Sequence, residues 1–272
     1  MTLKTTLARI GRQSADKIHL VDAALKLAQW TDPDLITTPY QRHVEALVQA
    51  AKDFVGPDVC DTDVIIQAVQ QIIAKRYGYG AELETDDHAE DSSLAKVIDQ
   101  RRGAAVLLCI LYAHVLEKLG TGVEIVDFPA RPMVRLVGLR EHIILDPYDG
   151  GKRITAAKLR HLFEDDDAAS PFSLATFDKR AILVHLLDRR KLFLLRQNAP
   201  EAAISVLRAA VLIAPKEARL WRELGVLHAR LDHIEDSISA LKHFLMLPQA
   251  DQHRYSASHL LQNLLQRKDP PS

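Results

Sequence analysis

Cysteine occurs only twice in 272 residues, as Cys60 and Cys109. That count suggests no disulfide framework and fits a reducing compartment. No apolar run reaches the length of a membrane span. The opening MTLKTTLARIGRQSADKIHL is mildly basic but has no apolar h-region, so no secretory signal is expected. No charge of one sign prevails either: 35 basic residues face 36 acidic ones, for a net charge of −1. A nucleic-acid reader usually carries a basic footprint, and none shows here. HExxH is missing, no cysteine pair has zinc-finger spacing, and DGGKR (149–153) lacks the spacing of a phosphate-binding loop. These features point to a cytoplasmic protein with no metal, no other cofactor, no membrane and no nucleic acid among its partners.

What remains is an ordinary globular composition, 47% hydrophobic and 26% charged, long enough for one large domain or two modest ones. Eleven glycines among many Ala, Leu, Glu, Lys, Arg and Gln favour helix. The acidic runs ETDDHAED (84–91) and EDDD (164–167) lack the alternating ligands and turn glycine of a calcium loop, and read as solvated loops.

Apolar residues recur with helical period over 15–30, with Ile18, Val21, Ala24, Leu25 and Ala28 on one face. Further helices are expected over Tyr40–Phe54, over Val64–Tyr77, around Ser93–Gln100, and in AVLLCILYAHVLEKLG (105–120) after Gly103. The period then changes. Val123–Phe128, Met133–Val137 and His142–Asp146 read as strands by length and β-branched content, and DPYDGGK as a turn cluster. From His185 the pattern is helical and repeats. Ala203, Leu207, Ala210 and Pro215 return thirty-four residues later as Ser237, Leu241, Phe244 and, one place early, Pro248. Trp221, Leu224 and Gly225 open the second unit, and Tyr255–Gln266 reads as a closing helix. This resembles the tetratricopeptide repeat, with His228 where that family usually has tyrosine and Ser237 where it has alanine. The first unit lacks the Trp and Gly. Two repeats are fewer than a solenoid usually needs, so they are expected to dock on the preceding domain.

Arg101-Arg102-Gly103 before an apolar helix, Phe128-Pro129, Val134-Arg135 and Asp146-Pro147-Tyr148-Asp149-Gly150-Gly151 resemble the SirB-type transglutaminase-like proteins. The resemblance covers nearly the whole chain. It implies an α+β fold: a helical N-terminal lobe (1–80), a transglutaminase-like, papain-like core with a small antiparallel sheet (81–180), and tetratricopeptide-repeat helices (181–272).

Active members of the wider superfamily are expected to use Cys, His and Asp. Their cysteine sits in the first turn of a core helix, where the helix N-terminus lowers a thiol pKa. Matched position by position, the cysteine site is Ala105, the histidine site is Arg131 and the aspartate site is Asp146. A methyl group cannot attack a carbonyl, so the resemblance implies a pseudoenzyme with no catalytic residues. VGLR (137–140) suits a two-residue type II′ hairpin, which sets Arg131 opposite Asp146 and Arg135 opposite His142. An Arg131–Asp146 ion pair then replaces the His–Asp pair. Pro132 cannot donate to a ladder and requires an edge or the start of the strand.

Each of these residues has two readings. The Arg–Asp pair is structural, or Arg131 and Arg135 clamp a carboxylate or phosphate. Cys109, one turn beyond Ala105 among leucines and isoleucines, is core packing or a substitute nucleophile. Cys60 is a plain loop thiol. The twelve histidines are scattered, and His142 stands apart only because it shares the face of Arg135 and Asp146. Trp221 and Tyr77 are core residues or stacking groups. Three functions follow: an interaction protein that binds a protein or peptide through its repeat helices, a residual cysteine hydrolase or transferase using Cys109, His142 and Asp146, or a small-anion sensor using Arg131 and Arg135.

Overall fold

The computed structural model describes residues 2–57, 61–81, 93–128, 131–138, 143–155, 175–248 and 253–268. Two compact units emerge. One is Ala15–Ile182; the other joins Met1–Ser14 to Leu183–Ser272.

Helices open the first unit. A 3₁₀ turn (Ala15–Lys17) precedes α2 (Leu20–Thr31), so the helical pattern of 15–30 becomes regular only at Leu20, although Ile18 is already buried. In α3 (Thr38–Val55), Pro39 occupies the first turn, where its missing N–H costs no bond, and Gly56 ends the helix at φ 79°. Helix α4 (Thr62–Val69) is capped by the Asp61 carboxylate and widens into a π-helical stretch, Gln70–Arg76. That stretch is tied down: Gln70 Nε2 donates to the Gly151 carbonyl at 2.9 Å. Strands β1 (Gly80–Ala81) and β2 (Arg102–Gly103) pair in parallel around α5 (Leu94–Gln100), whose N-cap Ser93 accepts from the Lys96 amide.

Helix α6 (Ala105–Lys118) is the axis of this unit. Val106 to Ala113, Val115 and Leu116 are all buried, so it is apolar around its whole circumference. Its N-cap, Ala104, offers no side-chain bond. The missing cap costs about 0.5–2 kcal/mol, whereas each large apolar side chain buried contributes about 1.5–3 kcal/mol. Packing therefore decides that α6 forms.

The sheet runs β6-β5-β4-β3-β7, all antiparallel, with β3 (Gly122–Val126), β4 (Met133–Val137), β5 (Ile143–Asp146), β6 (Lys152–Arg153) and β7 (Thr176–Phe177). β3 and β4 pack on α6. Phe128 lies past the end of β3, yet it is buried with Val126, Met133, Ile144 and Ile154. The hairpin register differs from the expected one: Arg135 stands opposite Ile144, not His142. Gly138 does adopt the positive φ expected of it, at 82°. The slip is two residues, an even number, so every side chain keeps its face.

The second unit is helical. α7 (Lys179–Arg196) and α8 (Pro200–Ile213) form the first helix pair, α9 (Ala218–Arg230) and α10 (Ile234–Met246) the second, and α11 (Arg254–Lys268) closes on α10. Asn198 and Asp232, thirty-four residues apart, turn within the two pairs at φ 53° and 62°. Ser237 is fully buried and donates to the Gly225 carbonyl at 2.7 Å. A Cβ on Gly225 would stand 2.8 Å from Leu241 Cγ, which explains the small residues at this crossing. Residues 1–14, placed in the helical lobe from sequence, group here instead. α1 (Leu3–Arg12) packs on α8, with Gly11 pressed to the Leu212 carbonyl.

A Cβ on Gly11 would lie 2.0 Å from the Leu212 oxygen, a backbone atom that cannot swing away. We expect Gly11→Ala to destabilise the repeat unit by about 1–3 kcal/mol. Urea denaturation followed by circular dichroism measures it, and an unchanged midpoint contradicts this packing.

Candidate functional site

Asp146 ends β5 and caps the 3₁₀ turn Pro147–Asp149. Its Oδ1 accepts the backbone N–H of Tyr148 at 3.1 Å and of Asp149 at 3.4 Å. Gly150 and Gly151 follow at φ 64° and 76°. Only glycine fits at 151: a Cβ there would stand 2.6 Å from the ring of Tyr112 on α6. The turn is thus fixed against α6 on one side and Gln70 on the other.

Onto this carboxylate comes Arg131. Nη2 donates to Oδ2 at 2.6 Å and Nε to Oδ1 at 3.3 Å, a two-point contact, and the guanidinium carbon lies 4.8 Å over the Tyr148 ring. Asp146 is 1% exposed and Arg131 31%. Pro132 immediately precedes β4, the strand start its missing N–H requires.

Ala105, the residue that the resemblance matched to a nucleophile position, occupies the first turn of α6 and is half-buried. One turn on, Cys109 is fully buried and its thiol donates to the Pro132 carbonyl at 3.2 Å. Burial pushes its pKa far up, and the Asp146 carboxylate adds to this. A thiol so placed is a packing group with little thiolate. Tyr112, next along the same face, is buried, and its hydroxyl has no hydrogen-bond partner among the described residues.

Arg135 does not join Arg131. It lies opposite Glu124 on β3, donating to that carboxylate through Nε at 3.0 Å and Nη2 at 2.5 Å, and from Nη2 to the Thr176 hydroxyl at 2.9 Å. Of the four expected site residues, the structure brings Arg131 and Asp146 together and sends Arg135 elsewhere; His142 lies outside the described residues, as does Cys60. No cluster of three or more potential metal ligands occurs among the described residues.

Two polar networks had no clear sequence signal. In the first unit, Arg101 sits in the left-handed region at φ 61°. Its Nη1 donates to the Tyr79 hydroxyl at 2.6 Å, to His43 Nε2 at 2.9 Å and to the Ile98 carbonyl. Tyr77 packs edge-on against His43 at 5.5 Å. This network borders a cavity of about 640 Å³ that Asp99, Tyr40 and Ile36 also line. The Arg-Arg-Gly motif flagged Arg101, but nothing local indicated His43 or Tyr79. In the second unit, Asp188, Lys191, Arg219 and Glu223 link α7 to α9. Trp221 packs beside the α10–α11 core, stacks on His243 at 4.4 Å, and donates to the Pro215 carbonyl.

The sequence matches the transglutaminase-like superfamily over residues 38–188, more than half of the chain, and the tetratricopeptide repeat over residues 191–262. The chain belongs to the transglutaminase-like superfamily. Its relatives are bacterial. A UPF0162 protein of Xylella fastidiosa is 24% identical over 239 residues, 85% of each chain. A UPF0162 protein of Pasteurella multocida is 23% identical over 189 residues, 68% of this chain and 71% of its own. Among solved structures, menin is similar at TM-score 0.47 and 12% identity, over 97% of this chain and 77% of menin, a likeness too slight to bear on function. The match places this transglutaminase-like domain ahead of the repeats, as the sequence implied. No helix among the described residues is long and apolar enough to cross a membrane.

Burial lowers the pKa of His43, His114 and His228; Arg101 acts the same way on the first, Lys118 on the second, and Arg208 with His233 on the third. The unfolded chain takes up these protons near pH ~6.5 and the folded chain resists them. Their stability contribution is therefore complete above that pH and is lost as pH falls. Thermal melts are expected to show a falling Tm from pH 7.5 to 5.5, a slope reduced in His228→Phe. A flat profile contradicts the lowered pKa of these histidines.

Proposed function

We propose that this chain is a non-catalytic member of the transglutaminase-like superfamily that works in the cytoplasm as a protein-interaction scaffold through its repeat helices. One observation carries the reading: the helix that would present a nucleophile opens with Ala105, and the aspartate that would orient a base is held instead by Arg131. An imidazole must be free to exchange a proton in order to act. A guanidinium stays protonated and cannot.

The burial of Cys109 favours this reading over a residual cysteine enzyme, which needs a thiol that solvent can reach. The pairing of Arg135 with Glu124, and of Arg131 with Asp146, favours it over an anion sensor, which needs guanidiniums free to clamp a ligand. The repeats supply the positive argument. Their helix pairs are complete, with side chains buried at the signature positions Ala203, Leu207, Ser237, Leu241 and Phe244, and repeats of this kind generally bind other proteins.

Thiol chemistry tests the reading. In a Cys60→Ser background, Cys109 is expected to react with iodoacetamide only after denaturation. Adding Ala105→Cys is expected to give one thiol that labels in the folded protein, because it lies half-exposed at a helix N-terminus. Rapid labelling of Cys109 in the folded protein overturns the non-catalytic reading.

A further inference from the structure

Between α7 and α9 the repeat unit holds a groove of about 490 Å³. Leu195, Leu207, Val226 and Leu227 form its apolar lining. Leu192 and Leu195 are 48% and 39% exposed, large apolar side chains left open to water along α7. A groove of this kind excludes water at a benefit once something apolar fills it.

The charges around it are unequal in freedom. Lys191 and Glu223 also line the groove, but they hold each other at 2.5 Å, and Asp188 and Arg219 bind them in turn. Those four charges cancel. Arg222 and Arg230 line the same groove and have no ion-pair or hydrogen-bond partner among the described residues. The groove thus presents two uncommitted positive charges beside an apolar lining.

Their placement gives a spacing. Arg222, Val226 and Arg230 lie at i, i+4 and i+8 on α9, a single stripe. At 1.5 Å per residue the two arginines are about 12 Å apart along the axis. An extended chain rises about 3.3 Å per residue and turns every second side chain to the same face. Carboxylates at positions i and i+4 then match the arginines, and the residue at i+2 meets Val226 and the leucines.

Resting on the scaffold reading above, we propose that this groove docks an extended, acidic segment of a partner protein, with two carboxylate side chains four residues apart and an apolar side chain midway between them. The arginines fix register and charge; the central apolar residue supplies the buried contact.

Fluorescence anisotropy on the full-length chain tests this with a labelled peptide bearing Glu at i and i+4 and Leu at i+2. Three control peptides carry Gln for both glutamates, Lys for both, or Ser for the leucine. The Glu–Leu peptide is expected to bind, more weakly as salt rises, and each control to bind about tenfold less tightly or not at all. Both arginines sit at least partly in solvent, so Arg222→Glu with Arg230→Glu is expected to fold normally by circular dichroism. That variant is expected to lose the Glu–Leu peptide about tenfold and to gain the Lys peptide. Equal binding of the Gln peptide overturns the charge matching. Binding by none of the peptides overturns the docking site. So does concentration-dependent dimerisation in sedimentation that Leu195→Glu abolishes, which would make a second copy of this chain the occupant. None of these results touches the thiol-labelling test, so this inference and the non-catalytic reading fail separately.

Discussion

The Asp146 carboxylate is the point on which the transglutaminase-like unit turns. It is almost wholly buried, so its charge must be met on every side, and three neighbours meet it: the Arg131 guanidinium and the two backbone N–H groups of the turn it caps. Those groups belong to three successive parts of the chain. Arg131 leads into β4, Asp146 ends β5, and Tyr148 and Asp149 begin the path to β6. One buried charge therefore fixes the entrance of one strand, the exit of the next, and the turn that Gly151 and Gln70 hold against the helices.

The same arrangement supports the non-catalytic reading. In a triad the aspartate serves a histidine that must gain and lose a proton. Here it serves a group that never loses one, and the helix below presents a methyl at Ala105 and a sealed thiol at Cys109. The same carboxylate can satisfy either partner. On the non-catalytic reading, the carboxylate keeps its second task as a turn cap, which Arg131 leaves intact.

The sequence made the helices and the three long strands legible because period and β-branching are local signals. Met133–Val137 and Ile143–Asp146 were legible as strands from their length and β-branched content, although β5 is buried at every position. Their register was not legible: Arg135 pairs with Ile144, two residues from the partner that a two-residue turn at Gly138 implies. The even slip nevertheless preserved the Arg131–Asp146 pair. The first helix went unread because α1 carries its meaning in Gly11, whose close approach to Leu212 spans two hundred residues of chain. The His43–Tyr79–Arg101 network was hidden for the same reason: three residues far apart in sequence, each unremarkable alone, converge only when α3, α5 and the π-helical stretch pack.

The repeats depend on a different economy, small residues where helices cross and paired charges between α7 and α9, and their exposed leucines matter only for what they leave uncovered. The central claim, however, rests on Arg131 and Asp146, and a double-mutant cycle tests it most directly. Unfolding free energies of wild type, Arg131→Ala, Asp146→Ala and the double variant give the coupling between the two side chains. The account predicts a coupling of about 1–3 kcal/mol, the range of a charge-assisted hydrogen bond that is largely shielded from water. A coupling near zero would mean that the two groups do not act on each other in the folded chain, and would contradict it.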